Sequence, residues 1–126
     1  MRVPEMYQYS ADHEWVTTNG EMARVGITEY AQDALGEVVY VQLPSVGALV
    51  RAGATLGEVE STKSVSDLYA PVSGVVATVN SALAESPELL NSDPYGAGWL
   101  CEIQLSSVDE LRSLLTADGY RSLVTG

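Results

Sequence analysis

A mainly β fold with short helices at its edges is what this sequence predicts, and three observations carry that reading. Apolar and polar residues alternate along 56–60 and again along 65–69, the period of half-buried strands. Gly47, Gly53, Gly57, Pro71 and Gly74 punctuate the middle of the chain at the short intervals of a small sandwich or barrel. Asn19-Gly20 suits a tight turn that needs positive φ.

The elements follow in order. Residues 7–17 and 21–27 read as two strands around Asn19-Gly20, so the chain opens with a hairpin. Thr28 is placed to cap a helix over 29–35, Glu29 suits its first turn, and Gly36 ends it. Val38, Val39, Tyr40 and Val41 return residues 37–43 to strand character until Pro44 stops them. Residues 46–60 and 72–79 show a faint mutual similarity across residue 63, as a quasi-symmetric pair of sheets would produce. Asp93-Pro94-Tyr95-Gly96 is a turn, and 99–105 is the last strong strand. Ser107 and Glu110 have capping-box spacing, and Leu111, Leu114 and Leu115 form an apolar stripe, which predicts a C-terminal helix over about 107–116.

Residues 1–126 are expected to form a single domain, since the chain is long enough to bury a core without disulfides. Cys101 is the only cysteine, so no internal disulfide can form, and its apolar neighbours predict a buried small hydrophobe. A formal net charge of −11 argues against nucleic acid or an anionic membrane as partner and favours basic protein surfaces. No run is long enough to span a membrane, and residues 1–10 lack a secretory pattern. The expected location is cytoplasmic, or a mitochondrial matrix if a targeting segment has been removed.

His13 is the only histidine, so metal sites built from clustered histidine and cysteine are excluded. No nucleophile elbow or phosphate loop accompanies it, and a structural role beside Trp15 is expected. Lys63 is the only lysine, flanked by Ser61, Thr62 and Ser64 at the tip of the 56–69 hairpin. A unique amine on an exposed turn can be addressed without ambiguity. Acylation would remove its charge and extend an arm that other active sites can reach, which is the logic of group carriers.

Four blocks resemble the H protein of the glycine cleavage system, in matching order and over nearly the whole chain: HEWV (13–16), GITEYAQDALGEVVYVQLPSVG (26–47), GEVESTKSVSDLYAPVSG (57–74) and NSDPYGAGWL (91–100). The resemblance implies a hybrid barrel-sandwich of the lipoyl/biotinyl-domain type, a lipoyl hairpin over about 53–70, and lipoate joined by an amide to Lys63. It implies a non-catalytic carrier of the aminomethyl group of glycine. Its partners would be a pyridoxal-phosphate glycine decarboxylase, a tetrahydrofolate-dependent aminomethyltransferase, a dihydrolipoamide dehydrogenase and a lipoylating enzyme. Glu14 and Asp67 match positions that hold the loaded arm, where carboxylates can pair with its ammonium. Asp12 stands where many relatives have serine, and Thr62 where valine is common.

Glu60, three residues before the lysine, is a candidate recognition feature for the lipoylating enzyme or a charged strand end. Three alternatives share the lysine or the fold: a lipoate donor in a relay to other enzymes, an unmodified β-rich interaction module, and a biotin carrier. Retention of Lys63, Glu14 and Asp67 together argues against the unmodified module. The tip TKS differs from the DKA of 2-oxoacid dehydrogenase lipoyl domains and the MKM of biotin carriers.

Overall fold

The computed structural model describes residues 1–125. Its strands are β1 (Gln8–Tyr9), β2 (Glu14–Asn19), β3 (Met22–Ile27), β4 (Val38–Gln42), β5 (Leu49–Val50), β6 (Thr55–Ser61), β7 (Val65–Tyr69), β8 (Gly74–Val79) and β9 (Cys101–Leu105). Its α-helices are α1 (Glu29–Leu35), α2 (Ala82–Glu85), α3 (Leu89–Ser92) and α4 (Ala117–Thr125). The strands form a six-stranded antiparallel sheet in the order β1-β2-β3-β9-β8-β5 and a three-stranded sheet in the order β4-β6-β7. Among the described residues, the edges of the larger sheet do not pair with each other to close a barrel.

One core lies between the sheets because each turns its alternate apolar residues inward. Val16, Val25, Cys101 and Ile103 come from the larger sheet, Val38, Val59 and Leu68 from the smaller, and Leu83, Leu90 and Leu100 seal the ends. A second, aromatic cluster packs α4 onto β1 and β2 through Tyr9, Trp15, Tyr95, Ala117 and Tyr120. Tyr9 stacks on Tyr120 at 4.8 Å, and Tyr7 on Trp15 at 4.7 Å.

The helix over Glu29–Leu35 forms as the sequence predicts. Thr28 Oγ1 accepts from the Ala31 amide at 3.2 Å, and Gly36 ends the helix at φ 80°. Gly20, at φ 66°, carries the first turn. The expected strand over 7–17 is instead broken in two, because His13 adopts a left-handed φ of 71° and redirects the chain between β1 and β2.

The C-terminal helix also differs from expectation. Residues Val108–Ser113 form a 3-10 helix, and the α-helix begins only at Ala117. Leu115 exchanges two backbone hydrogen bonds with Tyr9, at 2.9 and 2.7 Å, which pulls the chain into an extended bridge and ends the helical run. The capping box is not made: Ser107 Oγ accepts from the Asp109 amide, while the Glu110 carboxylate accepts from the Ser73 amide and hydroxyl, each at 2.8 Å.

The hairpin β6–β7 carries residue 63 at its tip, and its flanking pair β5–β8 nests around it. Both registers, Glu60↔Val65 and Leu49↔Val75, centre on the chain at Thr62–Lys63. The two pairings lie in different sheets, β6–β7 in the three-stranded one and β5–β8 in the six-stranded one. Gly57 sits at a register shift in β6, where a Cβ would run into the Gln42 carbonyl oxygen on β4. Gly57→Ala is expected to cost roughly 1–3 kcal/mol through this overpacking, measured as a lower urea midpoint at unchanged m-value. An unchanged midpoint would show that β4 moves aside freely.

Candidate functional site

The tip of the β6–β7 hairpin is pinned from both sides. Ser61 and Ser64 close the turn through a 2.8 Å backbone bond, and the buried Ser61 hydroxyl accepts from the Lys63 and Ser64 amides, each at 3.2 Å. Thr62 donates its amide to the Glu37 carbonyl at 3.0 Å, which ties the turn to the segment after α1. Asn91 in α3 clamps that segment: its amide nitrogen donates to the Gly36 carbonyl at 2.8 Å and its oxygen accepts from the Val38 amide at 2.9 Å. On this rigid base Lys63 is exposed and makes no ion pair among the described residues. Its methylene stem passes Gly36 so closely that a Cβ there would lie 3.1 Å from Cε.

Beside the tip lies a cleft of about 320 Å³, walled by the Asp12–Glu14 segment, by Tyr30, Ala31 and Ala34 of α1, and by Ser64, Ser66 and Asp67 of the hairpin. Glu14 and Asp67, singled out in the sequence on separate hairpins, both line it, and so does Asp12. No lysine or arginine is among its lining residues. Lys63 is not in the lining either, but its neighbour Ser64 is. Glu60 stands apart: it is exposed on β6, in register with Tyr40 on β4 and Val65 on β7.

Glu14 is a buried carboxyl group, with 2% of its area exposed, whereas Asp67 is exposed. Ser10 Oγ donates to Oε1 at 2.5 Å, and the Tyr69 amide approaches Oε2 at 3.4 Å. Desolvation dominates, so its pKa is pushed up to about 8; the nearby Asp12 charge adds to the rise, and the Ser10 and Tyr69 hydrogen bonds oppose it. His13 is half-buried, which lowers its pKa against the opposing pull of Asp12. Its ring meets Tyr30 at 4.7 Å and its Nδ1 lies 2.8 Å from the Tyr120 hydroxyl, so its structural partners are these tyrosines and not Trp15. Cys101 is buried as expected, with its thiol pushed up to about 12 by desolvation.

Ser10, Ser61, Asn91 and Tyr120 were not legible as site residues in the sequence. Ser61 and Asn91 left a signal, since Ser61 flanks Lys63 within the block 57–74 and Asn91 opens the block 91–100.

Residues 7–126 match the family model described as glycine cleavage H-protein. The chain belongs to that family. It is 57% identical over 130 residues to the glycine cleavage system H protein of Mycobacterium tuberculosis strain H37Rv, covering 98% of this chain and 97% of that protein. The H protein of Mycobacterium avium strain 104 is 58% identical over 128 residues, with the same coverage. The crystal structure of a glycine cleavage system H protein from Mycobacterium marinum superposes with a TM-score of 0.89 at 47% identity, covering 98% of this chain and 99% of that one. The mainly β, two-sheet architecture is thus that of an H protein.

The buried carboxyl of this H-protein family member has a thermodynamic signature. Folded, Glu14 keeps its proton to about pH 8, whereas the unfolded chain releases it near 4.5. The folded state therefore binds more protons between those values, and stability falls as pH rises through them. His13 acts oppositely: its lowered folded pKa costs stability as pH falls through 6.5. Between pH 6.5 and 8, the unfolding free energy from urea titrations should fall by up to about 1.4 kcal/mol per pH unit, and Glu14→Gln should remove that slope. A Glu14→Gln curve parallel to wild type would mean that Glu14 is already ionised.

Proposed function

We propose that this protein is the lipoyl carrier of the glycine cleavage system, with lipoate attached through an amide to Lys63. The observation that carries the reading is the unpaired, exposed amine of a sole lysine on a pinned turn, beside an acidic cleft. The cofactor would supply a dithiolane that accepts the aminomethyl group of glycine from the decarboxylase, yields it to the tetrahydrofolate-dependent aminomethyltransferase, and is reoxidised by dihydrolipoamide dehydrogenase. Everything else is placement, which is the work of this chain's own residues.

The residues fit that task chemically. Gly36 leaves room for the Lys63 stem, and the Ser61 and Thr62 hydrogen bonds hold the base of the arm still while its far end swings. In the cleft, Asp12, Glu14 and Asp67 offer negative charge to a cationic cargo, and α1 excludes water from one side. Glu14 is neutral over much of the physiological range; an ammonium beside it favours the carboxylate and draws its pKa down. Protonated amine and ionised carboxylate then hold each other in a partly dehydrated pair.

Modification takes the formal charge from −11 to −12, because one of six basic residues is neutralised against seventeen acidic ones. Such a surface suits partner enzymes with basic approaches to their active sites. Glu60, exposed between Tyr40 and Val65 just below the tip, is well placed to be read by the lipoylating enzyme. The proposed setting is the cytosol, or a mitochondrial matrix for a processed form. Among the described residues no helix is long and apolar enough to cross a membrane.

Intact-mass measurement of protein from its native host should show one lipoyl group, and Lys63→Arg should lose both that mass and carrier activity while melting at the wild-type temperature. A biotin mass would replace the reading, and a Lys63→Arg protein that still supports glycine decarboxylation at the wild-type rate would overturn it. For the cleft, Asp67→Asn should speed spontaneous loss of the aminomethyl group from isolated loaded protein, with little change in stability, since Asp67 is exposed. Release no faster than wild type would remove Asp67 from the cargo site.

A further inference from the structure

Two walls of the cleft meet at a single hydroxyl that belongs to neither. Tyr120 lies in α4, more than 90 residues along the chain from both groups that it joins. Its Oη is 2.8 Å from His13 Nδ1, in the loop that leads into Glu14, and 2.7 Å from Thr28 Oγ1, the cap of α1. Its ring is fully buried and stacked on Tyr9, so the hydroxyl is held at a fixed height over the joint.

The joint needs holding. His13 is the only non-glycine residue at positive φ among the described residues, a conformation that side chains adopt rarely and keep when their surroundings enforce it. That turn of the backbone aims Glu14 into the cleft instead of along a continuous strand. The restraints on His13 are its amide bond to the Ser10 carbonyl, the Thr28 amide bond to its own carbonyl, the Tyr30 ring, and the Tyr120 hydroxyl. Thr28 is likewise fully buried, and its hydroxyl serves the α1 cap and Tyr120 together.

We infer that Tyr120 is a positioning residue for the arm cleft, fixing the Asp12–Glu14 wall against α1 so that the cleft keeps the shape in which it shields its cargo. The inference rests on the carrier reading given above. It assigns to the C-terminal helix a share in cargo retention, although none of its residues lines the cleft.

The test compares wild type, Tyr120→Phe, Thr28→Val and Arg121→Ala. Thr28→Val cuts the other end of the same bridge. Arg121→Ala frees α4 from Val3 and Glu5 without touching the hydroxyl. Two quantities are read: loss of the aminomethyl group from lipoylated, loaded protein, and the His13 ring resonances by NMR in unmodified protein. His13 is faced by Asp12 on its own loop, Tyr30 on α1 and Tyr120 on α4.

Tyr120→Phe removes both contacts of the hydroxyl, and Thr28→Val removes one of them together with the α1 cap; each should release the cargo at least about fivefold faster, the factor that a single lost hydrogen bond corresponds to. In Tyr120→Phe the His13 ring resonances should move, because the ring loses its hydroxyl partner, and in Arg121→Ala they should stay in place. Arg121→Ala should release at the wild-type rate even where it melts lower. The inference is overturned if Tyr120→Phe retains the cargo as wild type does, or if Arg121→Ala releases it equally fast. A wild-type protein that holds the group no longer than free lipoamide does would overturn the carrier reading itself.

Discussion

A carboxyl group sealed from water with no cation beside it is the constraint around which this molecule is arranged. Burying a charge unpaired is costly, so Glu14 is kept by a proton and by the Ser10 hydroxyl instead of by an arginine or lysine. A resident cation would satisfy the group permanently and close the cleft to any cationic visitor. The left-handed turn at His13, the cap at Thr28 and the Tyr120 hydroxyl between them tie the segment that carries this carboxyl to α1.

Rigidity is distributed unevenly in consequence. The turn at residues 61–64 is fastened by its own serine and by the Glu37 carbonyl, and that carbonyl's segment is fastened by Asn91. At this tip the lysine amine makes no ion pair among the described residues. The cleft wall is fastened across the chain by α4. Both sets of ties lie outside the groups that carry the proposed chemistry.

Much of this was legible in the sequence, and what was not has a physical cause. The Asn19-Gly20 turn and the capped helix α1 are local features that form as read, and the hairpin places residue 63 at its tip. The burial of Glu14 has no sequence signal, because half-buried strands alternate, whereas Glu14, Trp15 and Val16 are all buried: the start of β2 lies beneath the cleft on one face and the aromatic cluster on the other. The C-terminal helix was misplaced because Leu115 is claimed by Tyr9, more than a hundred residues away. A capping box can be seen in four letters, but the competing demand of Ser73 on Glu110 cannot. The Tyr120 strut joins three separate elements and has no spacing signature at all.

The nesting of β5–β8 around β6–β7 has a mechanical meaning. A pull on the Lys63 amine, such as one enzyme exerts when it draws an attached arm into a narrow channel, is divided between two strands that leave the tip symmetrically. Along the strand direction that tension loads the β4–β6 ladder in shear, so its hydrogen bonds share the force and do not unzip one after another. The hairpin is thus held to its sheet in the direction in which its tip would be pulled.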